Sequence, residues 1–127
     1  MPKTLFKTLG YAAFLAAGLG IGYCAAMVPR WLTPSYQQGD FSAYYPDPAV
    51  RVVLYGTDWC RYCKETRAFL QSRGIRYLDL DVEKSPVAAR QFQQLGGQGY
   101  PLVLIGDRKF QGFEPSAFAE ALQRLSG

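Results

Sequence analysis

A chain of 127 residues has room for one domain and a short appendage, and 49% hydrophobic with 19% charged residues excludes a disordered one. The formal charge is +4; setting Lys3 and Lys7 aside leaves 12 of the 14 basic side chains against 10 acidic, too even a mixture for a nucleic-acid surface. Three cysteines without a histidine exclude a disulfide-stapled scaffold and most familiar metal and acid–base sites.

The first element is apolar. No charge falls between Lys7 and Arg30, and Leu9 to Val28 is mostly apolar. As a helix that run is about 30 Å long, the thickness of a bilayer's hydrocarbon core. Pro29 ends it, and Trp31 and Tyr36 suit a membrane interface. Lys3 and Lys7 precede the run and Arg30 alone closely follows it. Basic flanks stay in the cytoplasm, so the rest of the chain is expected on the non-cytoplasmic, periplasmic side. The rival reading is a cleaved signal, which leaves a secreted or periplasmic domain. The run exceeds the roughly 7–15-residue core of a signal peptide, which favours an uncleaved single-pass anchor over residues 1–29.

Residues 30–48 show neither helix nor strand period and are rich in Pro, Tyr, Ser and Gln, so they read as a linker. Tyr36, Phe41, Tyr44 and Tyr45 are expected to pack in part on the domain C-terminal to it.

Residues 49–127 read as one domain. Val50 to Tyr55 is a β-branched, apolar run suited to a strand buried on both faces, ending at Gly56. Thr57 and Asp58 offer caps to a helix from Cys60 to Ser72, closed by Gly74; Cys63, Arg67 and Leu70 share one of its faces. Tyr77 to Val82 alternates as a second strand, parallel to the first because a helix connects them. Ser85 caps a helix opened by Pro86, with Ala88, Phe92 and Leu95 on its buried side. A glycine-rich loop leads to Pro101 and a strand at Leu102–Ile105, then a Gly106-Asp107 turn and a short strand near Lys109-Phe110. Pro115 opens a last helix with Phe118, Ala121, Leu122 and Leu125 at helical spacing. The order β-α-β-α-β-β-α implies an α/β fold with a mixed four-stranded sheet and helices on both faces.

The chemistry concentrates at Cys60 and Cys63. A Cys-x-x-Cys that follows a buried strand and opens a helix puts its first sulfur among unpaired N–H groups and partial positive charge. Such a thiol has its pKa lowered into the range of roughly 3.5–7.5 and is a nucleophile at neutral pH. Arg61 is a fixed positive charge beside it, with Lys64 as a further one. The second sulfur lies one helical turn on, within disulfide reach. Cys60 then attacks a substrate disulfide, and Cys63 displaces the captured sulfur from Cys60. Two other readings compete: an inert pair, and ligands to a metal or an iron–sulfur cluster shared between two chains. Zinc within one chain would need a further pair of ligands.

The stretches Val52-Val53-Leu54-Tyr55-Gly56-Thr57-Asp58-Trp59-Cys60-Arg61-Tyr62-Cys63, Gly74 to Val82 and Gly99 to Asp107 resemble glutaredoxins, of the thioredoxin superfamily. The resemblance implies a thioredoxin-like, glutaredoxin-type fold and a dithiol–disulfide oxidoreductase. It makes Cys60 and Cys63 the catalytic pair, with Tyr62 before the second cysteine and Arg61 where proline is commonest. It makes Pro101 a cis-proline and lets the backbone of Tyr100 meet an extended substrate or glutathione. Two positions depart from the glutathione-using pattern. Thr57 stands where a lysine commonly binds one glutathione carboxylate. Gln111-Gly112-Phe113-Glu114-Pro115 stands where a Gly-Gly-Asp-type segment grips the other, and is closer to the Gly-Phe-Arg-Pro of members reduced by thioredoxin reductase. An acidic Glu114 repels a carboxylate, so glutathione is expected to be a poor reductant and no bound cofactor is expected. Trp59, Tyr62 and Phe113 are expected to form an apolar rim for substrate peptides. The expected partners are protein thiols and disulfides, an upstream thiol reductant or reductase, and a membrane.

Overall fold

A computed structural model of the chain describes residues 2–26 and 32–127, with side chains for 3–24 and 32–127. The chain forms two compact units, Met1–Pro34 and Ser35–Gly127.

The first unit holds helix α1, Pro2–Ala26. Its stretch Lys3–Cys24 is long and apolar enough to cross a membrane by length and composition, a test that a signal sequence also passes. Leu5, Phe6, Leu9, Phe14, Leu15, Leu19 and Ile21 all stand exposed on it. A helix apolar around its circumference has no face to turn to water. Pro29, Arg30 and Trp31, the expected end and interface of this segment, lie outside the described residues.

The second unit is built on a five-stranded sheet in the order β1-β5-β4-β2-β3. Its strands are β1 Tyr36–Gln38, β2 Val52–Gly56, β3 Leu78–Asp81, β4 Leu102–Ile105 and β5 Arg108–Gln111. The helices are α2 Arg61–Ser72, α3 Pro86–Gln94 and α4 Pro115–Ser126. β2 runs parallel to β3 and antiparallel to β4, and β4 and β5 form the expected hairpin. The hairpin turns at Gly106, whose φ of +60° is a left-handed conformation that glycine adopts without steric cost.

The sheet has five strands where the sequence led us to expect four. Part of the segment read as a linker is β1, which pairs antiparallel with β5 through Tyr36 opposite Phe110. A three-residue strand with the sequence Tyr-Gln-Gln carries no readable alternation; Tyr36 supplies the hold instead. Its ring lies 5.7 Å from that of Phe110, and the guanidinium of Arg108 sits 4.0 Å over it. Arg108 is otherwise almost fully buried and reaches Glu120 of α4. The rest of that segment also belongs to the domain: Phe41, Tyr44 and Tyr45 pack on the sheet, and the Tyr45 hydroxyl donates to the Gly106 carbonyl at 2.8 Å.

Alternation along β2 divides the core. Val52 and Leu54 face a cluster with Leu70 of α2 and Phe118, Ala121 and Leu122 of α4. Val53 and Tyr55 face the opposite cluster, with Ala88 of α3, Leu95, Leu102 and Leu104. Helices on both faces explain why β2 is apolar at every position. Ser85 caps α3 as expected, its side chain accepting from the Ala88 N–H.

Truncating Tyr36 to alanine should remove the ring that covers Arg108 and lower domain stability by about 1–3 kcal/mol. Urea unfolding of the full chain, followed by circular dichroism, measures this; an unchanged midpoint would show β1 to be a passive attachment.

Candidate active site

The site forms where β2 ends and α2 begins. Gly56 closes the strand with a glycine for a reason of space: a Cβ there would stand 2.7 Å from the sulfur of Cys63 and 3.2 Å from its Cβ. The absent side chain lets the first turn of α2 lie directly against the strand backbone. Thr57 is next, fully buried, with its hydroxyl lacking a hydrogen-bond partner among the described residues. Asp58 and Trp59 then form an exposed loop tied to the segment after β3. Lys84 bonds the Asp58 carboxylate, which holds that acid below its usual range, and the Trp59 indole donates to Glu83 at 2.7 Å.

Neither Thr57 nor Asp58 caps α2, contrary to the sequence-based expectation. Cys60 is itself the N-cap: its backbone is extended and its sulfur accepts the N–H of Cys63 at 3.3 Å. The helix therefore starts one residue later than expected, at Arg61. A sulfur in the capping position satisfies one of the helix's otherwise unpaired N–H donors.

The two cysteines are free thiols in unlike settings. Cys60 is 7% exposed and Cys63 is fully buried. Burial pushes the Cys63 thiol up to about 12, and donating its hydrogen to Cys60 adds to the shift. The backbone of Thr57 and the charge of Arg67 act the other way. Cys63 is therefore a protonated donor at neutral pH, and Cys60 is the sulfur it supports.

Arg61, expected to be the cation beside Cys60, is 84% exposed and pairs instead with Glu65 one turn along the helix, at 3.1 Å. The cation in the wall of the site is Arg67, whose side chain is 19% exposed. It donates to both carboxylate oxygens of Asp79, at 2.7 and 3.3 Å, and from both terminal nitrogens to the Thr57 carbonyl at 3.3 Å. Sequence reading placed Arg67 on the face of Cys63 without giving it a role, because its partner Asp79 comes from a different strand.

The peptide bond between Tyr100 and Pro101 is cis, as the resemblance implied. The Pro101 carbonyl accepts the N–H of Gly112 at 2.8 Å, which brings Gly112 next to the proline loop. Tyr100 stacks against Phe92 with centroids 5.1 Å apart and meets Trp59 edge-on at 6.1 Å. That contact joins the Trp59 loop to the proline loop. Trp59 and Tyr62 are 65% and 55% exposed, the open rings of the site. Phe113 departs from the expected rim: it is half-buried, packed against Phe69 at 6.1 Å and Phe118 at 5.8 Å.

With Cys24 replaced by serine to remove the exposed thiol of α1, iodoacetamide at neutral pH should label Cys60 and leave Cys63 unlabelled until the chain is unfolded. Peptide mass mapping reads the result, and labelling of Cys63 in the folded protein would contradict the burial described. The raised Cys63 thiol also sets the sign of a pH effect. Folding favours protonated Cys63, so its contribution to stability is complete below the ordinary thiol pKa. It should fade as pH rises from there toward 12.

The glutaredoxin family model matches residues 52–110, the stretch that carries the cysteine pair, the cis-proline and the four strands β2 to β5. The glutaredoxin-like protein NrdH of Salmonella typhimurium is 30% identical over 64 residues, which span 50% of this chain and 79% of that protein. Its Escherichia coli counterpart (strain K12) is 29% identical over 66 residues, or 52% and 82% of the two chains. Among solved structures, the NrdH-redoxin of Escherichia coli, described as having a thioredoxin-like activity profile, superposes with a TM-score of 0.52. It is 27% identical, and the match covers 56% of this chain and 93% of that one. A glutaredoxin from Archaeoglobus fulgidus shares the fold at a TM-score of 0.53 and 22% identity, over 60% and 89% of the two chains. With its cysteine pair at a strand–helix junction opposite a cis-proline, and with these relatives, the chain belongs to the glutaredoxin family, whose general reaction is thiol–disulfide exchange.

Proposed function

We propose that the chain is a dithiol–disulfide oxidoreductase that acts on protein disulfides through Cys60 and Cys63. The observation that carries this reading is the division of labour between the sulfurs: Cys60 caps the helix and accepts an N–H, and Cys63 is buried and protonated behind it. Cys60 attacks one sulfur of a substrate disulfide and the other leaves as a thiolate. Cys63 then attacks Cys60, the Cys60–Cys63 disulfide forms, and the captured sulfur leaves and takes up the Cys63 proton. Two electrons pass to the substrate, and an external thiol reductant restores the pair.

Exposed Trp59 and Tyr62, together with Tyr100 and the backbone at Pro101 and Gly112, offer a polypeptide apolar surface and an extended backbone to lie against. Glutathione fits less well. The residue 57 side chain is buried and neutral, and Glu114 at the start of α4 is exposed and acidic, so neither offers a positive charge to a carboxylate. The thioredoxin-like profile of the Escherichia coli relative agrees with a reductant other than glutathione.

The full chain in mild detergent should speed reduction of insulin by dithiothreitol, and Cys60→Ser should return the rate to that of the buffer. Cys63→Ser should instead trap a mixed disulfide with the substrate. With glutathione and its reductase as the electron source, turnover should be lower by about tenfold or more, the loss expected of a site without cations for the two carboxylates. Insulin reduction that survives Cys60→Ser would sink the mechanism; fast turnover with glutathione would sink only the choice of reductant.

We place the domain outside the cytoplasm, on a single N-terminal anchor. Support comes from the length and composition of Lys3–Cys24 and from Lys3 and Lys7 ahead of its apolar core. Alkaline phosphatase fused after Gly127 should be active and a fluorescent protein that folds only in the cytoplasm dark; the reverse pattern would overturn the orientation. Release of the domain as a shorter, soluble chain would identify a cleaved signal.

A further inference from the structure

Resolution of the mixed disulfide asks a thiol that burial has pushed up to become a nucleophile. Cys63 has no exposed surface, and its thiol lies far above neutral pH in the resting dithiol. Once Cys60 is bonded to substrate, its two contributions to that shift, the hydrogen bond and the electrostatic one, are removed. What then opposes ionisation of Cys63 is burial, and what favours it are the backbone of Thr57 and the guanidinium of Arg67.

The geometry points to Arg67 as a positioning residue that speeds resolution by holding a positive charge beside the sulfur of Cys63. This rests on the dithiol function proposed for the pair. The space next to Gly56 locates the two groups. The point where a Cβ would stand is 2.7 Å from the Cys63 sulfur and 3.6 Å from Nη2 of Arg67, so both border one small volume against the strand backbone. Arg67 is fixed there by β3 and by the site loop: Asp79 takes its Nε and Nη2, and the Thr57 carbonyl takes both terminal nitrogens. Asp79 pairs with Leu54, two residues back along β2 from Gly56, so the carboxylate grips the guanidinium from farther down the sheet.

Of the other charges near the site, Lys64 is exposed on α2 and two more are ion-paired. Arg61 pairs with Glu65, and Lys84 pairs with Asp58 and lies 3.9 Å from Asp81. Tyr77, Asp58 and Cys63 itself are the other titratable groups that interact with Arg67, and Cys60 is the one that bears on Cys63. Among the described residues, Arg67, although paired with Asp79, is the cation that bears on the resolving sulfur. A fixed cation in a partly desolvated wall favours an emerging thiolate far more than the same charge in water.

Dithiodipyridine, a neutral disulfide, separates the two steps. Cys60 releases one thiopyridone as it captures the probe, and Cys63 releases the second as the intramolecular disulfide closes. In the full chain carrying Cys24→Ser, Arg67→Met should leave the first phase unchanged. It should slow the second about tenfold near neutral pH and move its pH profile up by about one unit. Arg67→Lys, which keeps the charge, should recover most of the rate. Asp79→Asn, which keeps the cation and removes its counter-charge, should move the profile down. A second phase indifferent to Arg67→Met would overturn the proposal. So would equal slowing by Met and Lys with no change of pH profile, since Arg67 would then be a strut for the Thr57 carbonyl. Release of a single thiopyridone by the unsubstituted pair would instead overturn the dithiol function itself.

Discussion

The contact on which the site depends is that between the sulfur of Cys63 and the bare backbone of Gly56. It allows the first turn of α2 to approach the end of β2 closely enough to bury one thiol completely. The other thiol stays at the helix N-cap, with an N–H donated to it. A side chain at residue 56 would push the helix outward, expose Cys63 and misalign the cap. Identical chemical groups three residues apart thereby come to stand in unlike settings, and in the mechanism proposed that asymmetry lets one sulfur attack and the other wait.

Much of this was legible in the sequence because it is local. The apolar run into Gly56, the serine cap before Pro86 and the Gly106-Asp107 turn each declare themselves within a few residues. The cysteine spacing sufficed to place the pair at the junction of β2 and α2. What was not legible depends on partners distant in sequence. Tyr36–Gln38 carries no strand pattern of its own and becomes a strand because Tyr36 covers Phe110 and Arg108. Arg61 looked like the cation of the site because it is adjacent to Cys60, but adjacency on a helix carried it outward toward Glu65. Arg67, four residues after Cys63, is turned inward and held by Asp79 of another strand. The expected cap at Thr57 or Asp58 failed for a related reason: Thr57 was drawn into the core and Asp58 toward Lys84.

The segment ahead of β2 covers one edge of the sheet. Without β1, the β5 edge would present unpaired backbone groups, a template for association with another chain. Tyr36–Gln38 occupies that edge, and Phe41, Tyr44 and Tyr45 pack against the core cluster that holds Val53, Tyr55, Leu102 and Leu104. A cavity of about 690 Å³ lies beside this segment, lined in part by Phe41, Tyr45, Arg51 and Asp107, near the Gly106 turn at one end of β4. Cys60 lies toward the opposite end of that strand, past Pro101.

Burial and reactivity pull against each other in such a pair. In the mechanism proposed, the burial that keeps Cys63 protonated leaves attack to Cys60, yet it also opposes the step that frees the product. Exposing Cys63 would relieve the second difficulty and forfeit the first. A charge built into the wall behind the sulfur escapes that exchange: it leaves access unchanged and acts only as negative charge develops. The guanidinium can serve in this way because Asp79 and the Thr57 carbonyl hold it in place before reaction, so little reorganisation is needed when the thiolate forms.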